Sequence, residues 1–216
     1  MTWSRDTEGR RGYHHGNLRE ALVQGALDLI AAKGPAGLTI AEAARAAGGS
    51  PAAPYRHFRD REELLAEIAR RGFERFEEAL ARAWDGGVPE ALAAFERVGR
   101  AYLEFARREP AYYAAMFEAG VAVDSDPALR LAGDRAFAIV RGAAETLTAQ
   151  LPARGRPPAL MVALHVWALA HGIATLFGRR DAGRRKLPMS PEELLEAAVL
   201  VYLQGLGLVG GSSRRG

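Results

Sequence analysis

The sequence contains no cysteine. That absence excludes disulfides, thiolate nucleophiles and cysteine metal ligands, and it fits a reducing, cytoplasmic setting. Runs of alternating apolar and polar residues, which a half-buried strand needs, are hard to find. Neither sign of charge dominates. The 29 Lys and Arg against 26 Asp and Glu leave a formal net charge of +3, so total charge alone points only weakly to nucleic acid. No Gly-x-Ser-x-Gly, no His-Glu-x-x-His and no phosphate-cradling glycine loop is present, so no catalytic site is expected. No apolar run precedes residue 20, so no secretory leader is expected. The adjacent His14 and His15 cannot share a helical face and have no acidic or Cys partner nearby, so no metal site is expected either.

What the chain does have is 49% hydrophobic residues over 216 positions, enough for a packed core. Ala, Leu, Arg and Glu dominate, which predicts an all-α protein of about nine helices. Capping signals place their starts at Asn17, Thr39, Ser50, Asp60, Asp126 and Ser190. The expected organisation is a flexible arm at 1–16, a three-helix head at 17–59 and a helical body at 60–208. The body opens with a linker helix at 60–84, and a disordered tail follows at 209–216. Ala159 to Gly178 is apolar enough to resemble a membrane span, but its two histidines and the arginines on both flanks favour a buried core or interface helix.

The most specific stretch runs from Thr39 to Leu64. Thr39 caps a short helix with small residues at helical spacing, and Gly48-Gly49 supplies a sharp turn. Ser50 then caps a second helix, with Pro51 at its first position and Ala52 following. Tyr55, Arg56 and His57 lie on it and can donate to base edges or phosphates. Phe58 is the expected apolar anchor. This is the layout of a DNA-reading helix-turn-helix. Pro54 breaks the pattern: as the fourth helical residue it removes a backbone donor and crowds the preceding turn. The reading helix should therefore be short, distorted or partly 3₁₀ at its start. Arg10, Arg11 and Tyr13 before helix one, and Arg61 after the reading helix, complete the candidate DNA contacts.

Ser50-Pro51, Tyr55-Arg56-His57-Phe58 and Asp60-Arg61-Glu62-Glu63-Leu64-Leu65 resemble the tetracycline-repressor family of bacterial transcriptional regulators. Further on, Trp167, His171 and Gly172 resemble the body of a subfamily named for its Trp, His and Gly. The resemblance implies a repressor, bound as a homodimer to palindromic double-stranded operator DNA and released by a small effector. It implies no cofactor beyond that effector. It also implies a body pocket for a small apolar or amphipathic ligand, with Tyr102, Phe105, Tyr113, Met116, Phe117, Phe137, Trp167 and His171 as candidate lining. A dimer formed by the last two helices is implied as well. Their excess apolar surface agrees with it and nominates Val166, Leu169, Ile173, Leu195, Val199, Tyr202 and Leu206. The alternative reading is a helical interaction or ligand-sensing protein that keeps the fold without binding an operator.

Overall fold

A computed structural model describes residues 18–50, 52–177 and 188–208. The described residues form eight α-helices and no strand. In chain order they are α1 (Leu18–Lys33), α2 (Ile40–Ala46), α3 (Arg61–Trp84), α4 (Ala91–Arg108), α5 (Pro110–Phe117), α6 (Pro127–Thr148), α7 (Ala159–Phe177) and α8 (Pro191–Gly205). The third of the nine expected helices, the one starting at Ser50, is a single 3₁₀ turn, Ala53–Arg56. Its cause is Pro54: the residue has no N–H to give, and its buried ring faces the head core. Its carbonyl instead closes the turn, accepting from the amides of His57 at 2.8 Å and Phe58 at 2.9 Å.

Most of the capping signals form. The Asp60 side chain accepts from Glu63 N at 2.8 Å, and Asp126 accepts from Ala128 N at 2.8 Å. Ser190 and Glu193 make a complete reciprocal capping box. Thr39 accepts from Glu42 N at 3.3 Å, while Glu42 reaches the Thr39 hydroxyl and Lys33 Nζ, both at 2.7 Å. Ser50 does not cap by its side chain, because the chain enters a 3₁₀ turn at Ala52 rather than an α-helix. Asn17 lies outside the described residues.

The head packs α1 across α2, with Gly25 at the crossing. A Cβ there would sit 2.9 Å from Ala46 Cβ and 3.2 Å from the Ala43 carbonyl, so only glycine permits the approach. α3 emerges from the head and runs through the body, where it packs on α4, α5 and α6. Leu22, Ile30, Phe58, Leu64 and Ile68 of the head and Phe76, Tyr102, Leu129 and Val162 of the body belong to one continuous buried core. α7 is long and apolar enough to cross a membrane, but it packs against α4, α6 and α8 and buries Val162, Ala163, Val166, Ala170, Ile173 and Ala174.

Candidate functional site

The surface of the head is set by what the 3₁₀ turn presents. Pro54 and Phe58 point inward; Ala52, Tyr55 and Arg56 point outward, and His57 is half-exposed. Tyr55 retains 59% of its accessible surface, although it stands between the buried Pro54 and Phe58 in the chain. Exposed Arg45 in the last turn of α2 adds a second cation to the head surface. Sequence reasoning missed it, because an arginine between alanines reads as ordinary helix surface.

Arg61 is placed differently from expectation. Its Nε donates to the Leu38 carbonyl at 2.9 Å and its Nη2 to the Pro35 carbonyl at 2.7 Å. The guanidinium thus ties the start of α3 to the turn before α2. Thr39 is exposed, with its hydroxyl engaged by Glu42. Arg10, Arg11, Tyr13 and Pro51 lie outside the described residues.

Behind the reading turn sits an ion-pair network. The Arg19 guanidinium lies over the Phe58 ring, 5.1 Å from its centroid, and pairs with Glu67 at 2.8 Å. Glu67 also takes Arg70 at 3.0 Å and Arg71 at 2.7 Å. Arg71 in turn makes two 2.6 Å bonds to Glu20 on α1. Burial pushes the Glu67 carboxyl up, but hydrogen bonds from Arg19, Arg70 and Arg71 outweigh it and hold the carboxyl at about 2. The same network continues toward α6, where Arg135 binds Glu77 at 2.9 Å.

In the body, the candidate effector residues form a packed aromatic cluster. Trp167 meets Tyr102 at 5.3 Å, Phe137 at 5.4 Å, Phe76 at 5.8 Å and Phe117 at 6.4 Å, all near edge-to-face. The hydroxyls of Tyr102 and Tyr113 lie 3.0 and 2.9 Å from one atom, Nδ1 of His171. Burial lowers the His171 pKa, with the Glu118 carboxylate pulling weakly the other way, so the ring is neutral at neutral pH. Burial also pushes both tyrosines up, so both stay protonated, and one of them can donate to the single lone pair of an unprotonated Nδ1 while the two hydroxyls also bond each other. Met116 fills the hollow left by Gly72, where a Cβ would meet its sulfur at 2.7 Å. The void beside Tyr102 and Trp167 measures only about 10 Å³, so the cluster is closed. Larger grooves lie elsewhere: one of about 480 Å³ is bordered by Tyr113, and another of the same size by Phe105.

Residues 22–68 match the description "Bacterial regulatory proteins, tetR family", and residues 95–202 match "Tetracyclin repressor-like, C-terminal domain". The chain belongs to the tetR family of transcriptional regulators. Among solved structures it is 30% identical to a protein of unknown function from Rhodococcus sp. RHA1, covering 91% of this chain and 98% of that one at a TM-score of 0.74. The TetR family transcriptional regulator PfmR from Thermus thermophilus is 24% identical, with 89% and 99% covered and a TM-score of 0.64. A TetR-family transcriptional regulator from Bordetella parapertussis 12822 is 22% identical, with 90% and 99% covered and a TM-score of 0.64. These two show the fold alone. No curated protein matches the chain.

The residues expected on a dimer face are mostly turned inward in the single chain. Val166, Ile173, Leu195 and Val199 are buried inside the single chain, at 6, 6, 3 and 7% exposure, where they pack α7 and α8 onto the core. Leu169, Tyr202 and Leu206 are only partly exposed. The outward apolar residues are Leu160, Met161, Leu164 and Leu176 on α7, with Leu200 and Val201 on α8. A 2.9 Å contact between His165 Nδ1 and the Tyr202 hydroxyl joins the two helices on that outer side. The sequence could not assign these faces, because a helix apolar on every side carries no pattern that fixes which face turns inward.

Proposed function

We propose that this tetR-family protein is a homodimeric repressor that binds a palindromic operator and releases it when a small apolar or amphipathic effector enters the body. The observation that carries the reading is α3 itself. Its first residues follow the exposed Tyr55–Arg56–His57 turn, and its middle, through Phe73 and Phe76, contacts Phe117, Tyr102 and Trp167. One helix therefore touches both the DNA-facing surface and the aromatic cluster.

Arg56 and Tyr55 would contact the major groove, with Arg45 on nearby phosphate. Two copies joined through the outer faces of α7 and α8 would set the reading turns roughly 34–36 Å apart, one helical repeat of DNA. An effector would have to part Phe117 and Phe137, which with Trp167 and His171 are the half-exposed members of the closed cluster. That displacement favours a second position of α3, and the ligand shifts operator affinity only by its preference for that state.

Operator titration with and without effector tests the response. Arg56→Glu should abolish salt-sensitive duplex binding while leaving the fold intact. Undiminished binding by this variant would refute the reading turn as the DNA contact. A wild type that binds no duplex would favour the operator-independent alternative.

A further inference from the structure

The outer side of α7 and α8 holds one polar pair amid its apolar residues. His165 is exposed and follows the exposed Leu164, one turn on from Met161, while Tyr202 follows the exposed Val201. The two side chains meet across the helices, with His165 Nδ1 2.9 Å from the Tyr202 hydroxyl and the rings near edge-to-face at 5.4 Å. Burial pushes the Tyr202 hydroxyl up, so it stays protonated and can donate to an unprotonated Nδ1.

Charge is sparse around this pair. α7 itself contains no Asp, Glu, Lys or Arg. The carboxylates of α8 are confined to its first turns, and Glu196, the nearest to Tyr202, lies about 9 Å before it along the helix. Glu196 is held by Arg100 of α4 at 2.6 Å, and Glu193 is held in the Ser190 capping box. Glu192, Glu96 and Arg100 border the inner side of α7 at Val166. On α6, Arg141 and Glu145 pair with each other at 3.5 Å. Among the described residues, no carboxylate forms an ion pair with His165.

We propose that His165 makes self-assembly of this chain pH-dependent: two copies join with the imidazole neutral and part as it takes up a proton. The inference rests on the dimer proposed above, through the outer faces of α7 and α8. Such an interface would cover Leu164 and Val201, and with them the His165–Tyr202 pair. A neutral ring that accepts from a hydroxyl enters an apolar face at little cost, whereas an imidazolium with no carboxylate to meet it is expensive to desolvate. Protonation also turns the bond around, since Nδ1 must then donate to the tyrosine oxygen. Histidine is the side chain whose charge ordinarily changes between pH 5 and 8. A two-fold dimer covers two such rings. The separated chains therefore bind more protons than the dimer, and the dimer weakens as pH falls.

Sedimentation equilibrium of the full chain without DNA, at about pH 7.5 and about pH 5.5, reads the dissociation constant directly. Two ordinary histidines kept neutral in a complex weaken it by about a hundredfold over that interval, and a loss of at least about tenfold is expected here. Glu67 titrates at about 2, well below this window, and circular dichroism at both pH values checks that the chain stays folded. His165→Gln still offers Tyr202 an acceptor but takes no proton, so its dissociation constant should be the same at both. His165→Lys carries a lasting charge and should weaken the dimer at both. Three results would overturn the inference and leave the dimer standing: an affinity independent of pH, a tighter dimer in acid, or a pH response that persists in His165→Gln. The second would mean that a carboxylate of the other copy meets the ring, and the third that other groups carry the response. A wild type that is monomeric at both pH values would remove the dimer and this inference together.

Discussion

Glu67 is the most constrained titratable residue among the described ones. Its carboxyl titrates at about 2 against an ordinary value of 4.5. The folded state thus holds fewer protons than the unfolded state between these values, and stability must fall as pH drops through that window. The stabilisation is fully present above the unfolded value and amounts to about 3 kcal/mol, an order-of-magnitude figure. Denaturant unfolding between pH 5 and pH 2 should therefore show a slope that Glu67→Gln reduces, the remainder coming from Glu20, Glu42, Glu63 and Glu193, which are also held below the ordinary value. The same substitution costs stability at neutral pH, since it leaves Arg19 and Arg71 without their shared partner. His171 gives a second test at this scale. His171→Leu deprives the Tyr102 and Tyr113 hydroxyls of a common partner and should cost about 1–3 kcal/mol, read from thermal melting.

At the scale of elements, Gly25 and Pro54 show how single residues fix local architecture. Gly25→Ala pushes a methyl against Ala46 and the Ala43 carbonyl and should cost about 1–3 kcal/mol by forcing α1 and α2 apart. Thermal denaturation reads the cost, and a melting point equal to wild type would show that α2 yields freely. The elements were mostly legible in the sequence. Asp60, Asp126 and Ser190 announced their helices because a capping side chain acts within three residues and needs no tertiary information. Pro54 was legible as a distortion, but not as the loss of a whole α-helix. That outcome depends on its ring being buried, which is a tertiary fact. The intramolecular role of Arg61 was hidden for a similar reason: the carbonyls it binds lie 23 and 26 residues away in sequence.

For the whole molecule, the outer apolar strip on α7 and α8 makes a clear prediction about assembly. Leu164→Arg or Val201→Arg should yield folded monomers with weakened operator binding, because their side chains already face outward. Val166→Arg should instead unfold the chain, since Val166 lies inside it. Sedimentation velocity and circular dichroism distinguish the two results. A dimer that tolerates Leu164→Arg and Val201→Arg together would place the interface elsewhere. The aromatic members of the candidate effector site were also recognisable from sequence, because Trp167 and His171 are one helical turn apart. Their closure was not, since whether rings fill a space or line it depends on how five helices meet.

α3 has 24 residues and is therefore about 36 Å long. It leaves the head without a joint, because Arg61 fastens its first turn to Leu38 and Pro35. Any tilt imposed at its far end is then magnified at the DNA surface. A rotation of about 5° carries the reading turn about 3 Å, close to the rise of one base pair. In the proposed dimer, two such turns moving in opposite senses would fall out of step with the grooves by about two base pairs. On the proposed mechanism the body would have to move very little, and the angular precision with which α3 is held would set the operator spacing the protein accepts.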